Sequence, residues 1–172
     1  MPGIDFITAF GRLLCDGALR DDFARQPEAV AGRLNLAAGE REAFMRLIPA
    51  EVEAQAHVLL RKRLGIVRRV IPETWRQLQQ GDEPAFFKYA RSHWPRENEP
   101  AGMDAHEFCR HLRRTNPDAV CAHEWHRLEF IFSQRRFSIH RLRKSSERRA
   151  GLQFFLRLKK GHWREFHLWF GL

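Results

Sequence analysis

Residues 151–170 read GLQFFLRLKKGHWREFHLWF, and their period decides the fold. Leu152, Phe154, Leu156 and Leu158 fall on every second position, which is strand spacing. Lys159-Lys160-Gly161-His162 supplies a hairpin turn, with a glycine available for positive φ. Trp163–Phe170 then alternates again, with Phe166, Leu168 and Phe170 on one face and Trp163 and Trp169 on the other. Upstream, FSIHRLR at 137–143 carries Phe137, Ile139 and Leu142 in a third β-like run. Three runs joined this way predict an antiparallel meander. Its apolar set Phe166, Leu168 and Phe170 is expected to face helices, leaving Trp163, Glu165, His167 and Trp169 on the far side.

Everything before this stretch reads as helix. All eight prolines (2, 27, 49, 72, 84, 95, 100, 117) lie in the first 117 residues, between helical segments, where the first turn tolerates them. Residues 4–15 put Phe6, Ile7, Phe10, Leu13 and Leu14 on one face, and Asp16-Gly17 stops that helix. Short pieces follow at 19–25 and 27–34, and 40–48 repeats the pattern with Phe44, Leu47 and Ile48. The longest helix is expected over about 50–70, where Val52, Ala56, Leu60, Leu64 and Val67 follow the i, i+4 spacing. Segments 72–78, 85–93, 104–113 and 117–130 complete the set. The fold class is therefore α+β: a multi-helix body at 1–133, then a small three-stranded antiparallel sheet at 134–172.

The 172 residues are 44% apolar and 30% charged, which excludes wholesale disorder and a disulfide scaffold. No apolar run approaches a membrane span, and no secretory signal is read at Met1–Asp5. Three cysteines without CxxC spacing fit reduced thiols in a cytoplasmic protein. The net charge of +9 is localised. Residues 1–125 hold 18 basic and 18 acidic side chains, and residues 126–172 hold 12 and 3, so 12 − 3 accounts for all of it. A local surplus of this kind marks a surface that meets an acidic partner or a polyanion.

Catalytic and metal-binding sets are weak. His106 and His111 are five apart on one expected helix and diverge by roughly 140°. His123 and His126 lack further ligands nearby, so a closed metal site is not expected in this chain. The five serines sit outside GxSxG, and there is no Walker loop and no GxGxxG. Cys109 and Cys121 occupy apolar helical positions, where a buried inert thiol is the commoner state. An autonomous hydrolase or oxidoreductase is the least favoured reading, and a basic nucleic-acid-binding or regulatory protein is the first alternative. No RNP-like motif supports the latter, and the basic residues alternate with strand apolars.

The run FGRLLCDGALRDDFARQPEAVAGRLNLAAGEREAFMRL resembles a bacterial peptide-maturation family. So do EVEAQAHVLLRKRLGIVRRVIPETWRQL, FFKYARSHWP and DAHEFCRHL, through positions such as Leu13, Phe23, Leu34, Arg61, Arg63, Pro72, Tyr89, Pro95, Asp104 and Phe108. The family comprises the helper subunits, MbnC-like and TglI-like, of TIM-barrel multi-iron oxidases that modify ribosomally made peptides in methanobactin- and thiaglutamate-type biosynthesis. The resemblance covers about three quarters of the chain. It implies a non-catalytic subunit forming a heterodimer, with no cofactor of its own and iron in the partner enzyme. It also implies that the chain holds the leader of a Cys-containing precursor peptide, whether the cysteine becomes an oxazolone/thioamide or loses carbon.

Two sites follow as expectations. The edge strand Trp163–Phe170 has few full charges and suits β-augmentation by a leader of about five alternating apolar residues, through Trp163, Arg164, Phe166, His167, Leu168 and Trp169. The opposite edge carries Arg135, Arg136, Arg141, Arg143 and Lys144, which discourage pairing. The segment Phe86–Trp94 has more large rings than one core stripe requires, so Phe86, Tyr89, His93 and Trp94 are expected at the enzyme interface.

Overall fold

A computed structural model of the chain describes residues 3–37, 39–78, 82–95, 101–144, 149–159 and 162–171. The chain divides into two compact units. Unit 1 comprises residues 1–67 and 80–99, and unit 2 comprises residues 68–79 and 100–172.

Unit 1 is helical. Asp5 caps α1 (Phe6–Cys15) by accepting from the Thr8 N–H at 2.7 Å, and Asp16 caps α2 (Gly17–Arg25) through the Leu19 N–H at 3.0 Å. Helix α2 begins earlier than its apolar spacing indicates because Gly17 donates to the Arg91 carbonyl at 3.1 Å. A Cβ there would lie 3.0 Å from that carbonyl oxygen, a tight contact that favours glycine. Pro27 opens α3 (Pro27–Arg33), which closes at Asn35 in the left-handed region, φ 51°. After α4 (Arg41–Met45), α5 (Pro49–Val70) buries Val52, Ala56, Leu60, Leu64 and Val67 as its spacing predicts. Phe23 and Phe44 meet edge to face at 5.1 Å in a core shared with Leu13, Val30 and Ala31. Helix α7 (Asp82–Ala90) places Phe86 and Tyr89 in the interior of this unit.

Arg20 is buried, and its guanidinium donates to the carbonyls of Leu13 and Leu14, both at 2.9 Å, and to Glu53 at 2.7 Å. It closes the C-terminal end of α1, whose last carbonyls have no helical partner.

Unit 2 holds α6 (Pro72–Leu78), α8 (Ala101–Thr115), a 3₁₀ turn (Pro117–Ala119) and α9 (Ala122–Phe132). The sheet follows: β1 (Phe137–Lys144), β2 (Arg149–Lys159) and β3 (His162–Gly171), antiparallel in the order β1-β2-β3. The meander and the α+β class therefore stand as read from sequence. The helix expected over 117–130 is interrupted at Val120 and Cys121, which are extended. The Cys121 N–H leaves the helical pattern to bond the Thr74 hydroxyl at 3.0 Å. Residues 160 and 161 of the expected hairpin turn lie outside the described residues, and Lys159 pairs with His162 across it.

The change from helix to strand and the division into units do not coincide. Helices α6, α8 and α9 cluster with the sheet. Glu124 of α9 shows why: its carboxylate, 1% exposed, accepts from the Glu73 and Thr74 N–H groups at 2.8 Å each and so caps α6 from 50 residues away. Arg127 performs the converse task, donating to the Val70 carbonyl at the end of α5 at 3.0 Å.

Candidate functional site

Among the described residues the sheet has a central strand, β2, and two free edges, β1 and β3. Its two faces differ in kind. Toward α9 it presents Leu142 from β1, Gly151, Gln153, Phe155 and Arg157 from β2, and Trp163, Glu165 and His167 from β3. Phe155 stacks on Phe130 of α9 at 5.0 Å, and Trp163 lies 6.4 Å from the same ring. Gln153 is fully buried and donates to the His123 carbonyl at 3.0 Å and to Glu165 at 2.7 Å, and Glu165 also pairs with His167 at 2.8 Å. Arg157 donates to the carbonyls of Phe130 (2.8 Å), Ser133 (3.0 Å) and Ile131 (3.2 Å), closing the end of α9. Polar side chains line this inner face because α9 supplies partners for them.

The opposite face is apolar and open to solvent. Its cross-strand rows are Ile139–Phe154–Phe166, Arg141–Leu152–Leu168 and Phe137–Leu156–Arg164. Phe166, Leu168 and Phe170 are 55%, 52% and 50% exposed, and Phe137 and Ile139 are 53% and 49%. This inverts the orientation expected from sequence, which turned Phe166, Leu168 and Phe170 toward the helices. The physical reason lies in β2 and α9. Gly151 leaves room for the Trp169 ring, since a Cβ there would come within 2.6 Å of it. Gln153 and Arg157 reach carbonyls that only the helix side offers. Once β2 is oriented, register fixes β3.

The six residues expected to hold a peptide therefore divide between the faces. Arg164, Phe166 and Leu168 project outward, while Trp163 and His167 lie on the α9 side, as Trp169 does over Gly151. All six lie on an edge strand. The four residues expected at an enzyme interface are not equivalent. Phe86 and Tyr89 are core side chains, 0% and 3% exposed, and Arg63 lies over the Phe86 and Trp94 rings at 5.7 and 4.6 Å. His93 is exposed and stacks on Tyr89 at 4.7 Å, and Trp94 is half-buried. The surplus of rings on α7 is consumed inside unit 1, by this cation–π stack and by the Phe86–Tyr89 contact.

The cysteine and histidine chemistry is quiet. Burial pushes the Cys109 thiol up to about 12, with the Glu124 carboxylate adding to it. Cys121 Sγ lies 3.1 Å from His123 Nδ1, yet burial raises the thiol and lowers the imidazole, so both stay neutral near pH 7. His106 is buried against Trp125 and bonds Glu129 at 2.7 Å. Among the described residues, no group of three or more His, Cys, Asp or Glu is arranged to hold a metal ion, and no helix is long and apolar enough to cross a membrane.

A family model described as SCO6045-like, C-terminal domain, matches residues 47–114. The matched segment takes in α5, α6, α7 and most of α8, and none of the sheet. No curated protein and no solved structure matches the chain. Through that segment the chain is similar to a SCO6045-like C-terminal domain.

Proposed function

We propose that this chain is a non-catalytic, cytoplasmic partner subunit of an iron-dependent, TIM-barrel peptide-modifying oxidase, and that it holds the leader of a ribosomally made, Cys-containing precursor peptide. The observation that carries the reading is β3, which among the described residues pairs with β2 on one side only and carries alternating apolar side chains. An extended leader adding beside it gains main-chain hydrogen bonds from the free edge. Its outward side chains would continue the apolar rows of Phe166 and Leu168, and its inward ones would lie beside His167 and Trp169. The iron and the redox chemistry belong to the partner chain. The resemblance of residues 6–130 to the helper subunits agrees with this division of labour.

The nucleic-acid alternative is the weaker one on electrostatic grounds. Arg127 and Arg157, two members of the basic C-terminal surplus, are engaged with helix-end carbonyls. The exposed face of the sheet is apolar where a phosphate-tracking surface would be cationic.

The test is binding of a fluorescently labelled synthetic peptide of about five alternating apolar residues, the form of leader this edge fits, to the full-length protein. Leu168→Pro is expected to weaken leader binding at least about 10-fold while circular dichroism shows a folded chain. Salt is expected to change the affinity only a few-fold. Unchanged affinity in the folded variant would reject the β3 edge. A fall of several orders of magnitude between low and moderate salt would favour nucleic acid instead.

A further inference from the structure

We infer that a cavity between α1, α2 and the segment after α7 is a binding site for an apolar ligand that carries one carboxylate. It lies wholly within unit 1, and the inference is independent of the leader reading at β3. The cavity measures about 780 Å³, within the size range of small-molecule sites. Its walls are fastened to each other. The Gly17 N–H donates to the Arg91 carbonyl at 3.1 Å, and Arg91 Nη2 donates to both oxygens of Asp21, at 2.7 and 2.8 Å. Walls tied in this way are formed before a ligand arrives, which lowers the ordering cost of binding.

The lining sets the class of ligand. Three cations, Arg12, Lys88 and Arg91, stand against two carboxylates, Asp16 and Asp21. Arg91 is matched by Asp21. Asp16 spends an oxygen on the Leu19 N–H at the start of α2, where the helix dipole favours negative charge. Arg12 and Lys88 are exposed and, among the described residues, make no ion pair. One positive charge is left over, which suits a monoanion. A guanidinium takes a carboxylate through two parallel N–H groups, and an ammonium adds a point charge beside it. The rest of the wall is apolar, through Leu19, Leu34 and Trp94. The Arg63 guanidinium lies 4.6 Å over the Trp94 ring and holds the indole in place. Among the described residues no Asn or Gln lines the cavity, so it lacks the paired donor and acceptor of an amide that would read a nucleobase. An aliphatic or aromatic body against Trp94, with its carboxylate at Arg12 and Lys88, uses every feature of the site.

The experiment titrates the full-length chain with hydrocinnamate and with N-acetyl-alanyl-phenylalanine, followed by calorimetry and NMR. The two probes present the same ring and carboxylate from a free acid and from a peptide terminus, and the tighter of them identifies the source. The indole N–H signal of Trp94, assigned with Trp94→Phe, is expected to shift with the bound acid. Hydrocinnamamide, the same shape without the charge, is expected to bind at least about 10-fold more weakly, the scale of one charge-assisted hydrogen bond. Arg12→Gln/Lys88→Gln, at exposed positions that leave the fold intact, is expected to weaken the acids by about 10-fold or more. Arg41→Gln/Arg69→Gln removes the same charge from exposed positions outside the cavity and is expected to change affinity by less than about 2-fold. Equal binding of the amide, or equal losses in the two double variants, would overturn the inference. So would a Trp94 signal that neither acid moves at about 10 mM, a concentration generous for ligands of this size. A signal that inorganic phosphate moves at lower concentration than either acid would make this a phosphate site and overturn it as well.

Discussion

The two compact units treat apolar side chains in opposite ways. In unit 1 the rings of Phe23, Phe44 and Phe86 are at most 1% exposed, and the exposed apolar residues, such as Ile7 and Val58, are scattered singly. In unit 2 the sheet buries Gln153 and holds the half-buried Arg157 against α9 while Phe137, Phe166, Leu168 and Phe170 stand about half exposed on one continuous face. Unit 1 is organised to be complete by itself. Unit 2 turns polar side chains toward α9 and apolar ones toward solvent. A strand edge and a half-exposed apolar face lie on the same small sheet.

The comparison can be broken most forcefully at its two extremes. Phe44→Ala opens a cavity in a core where the ring is fully buried, and is expected to cost about 3–5 kcal/mol in urea unfolding. If that variant unfolds within about 1 kcal/mol of the wild type, unit 1 does not own a tight core. Next in size is Glu124→Ala, which leaves the buried N–H groups of Glu73 and Thr74 without acceptors. A loss of about 2–4 kcal/mol is expected, with Glu124→Gln milder because an amide oxygen still accepts one bond.

Acid should separate the units. Burial, with His140 stacked at 4.0 Å and its charge adding, lowers His126 to about 4. Between the ordinary histidine value near 6.5 and about 4 the unfolded chain binds a proton that the folded chain does not. Stability therefore falls as pH drops through that window, by roughly 1–2 kcal/mol for a half-buried ring. A pH series of unfolding curves is expected to show this slope, and His126→Gln to flatten it. The smallest effect is expected at Phe166→Ser, under about 0.5 kcal/mol, since exposed sites away from caps and cores change stability little. A large loss there would mean that the outer face is part of the fold and not a surface for a partner.

Much of this architecture was legible in the sequence. The period of two at 152–158 and 163–170 gave the meander, and the i, i+4 spacing of α5 gave its buried stripe, because each pattern is set by backbone geometry alone. The orientation of the sheet was not legible. Leu152, Phe154, Leu156 and Leu158 are the more apolar set, and a rule that sends apolar residues inward selects the wrong face. What decides it is tertiary: the carbonyls at the end of α9 wait for Arg157, and the His123 carbonyl waits for Gln153. The alternation of Gly151, Gln153, Phe155 and Arg157 held that signal, since a glycine opposite a tryptophan marks a ring lying across the backbone. The rings of α7 misled for a related reason. Arg63, some 30 residues upstream, absorbs Trp94 and the His93 carbonyl, at 2.8 Å, into unit 1.

The cap that Glu124 places on α6 also sets a clock. Its carboxylate lies 51 residues downstream of the first amide it serves. At a synthesis rate of about 5–20 residues per second, α6 leaves the ribosome about 3–10 s before its capping group exists. During that interval the helix-start aids α6 has are local, Pro72 and the Glu73 carboxylate in its first turn, while most of unit 1 has already been made. Nascent chains of this protein should therefore show protease protection in unit 1 well before unit 2, and a stall before residue 124 would leave α6 as the first segment offered to a chaperone.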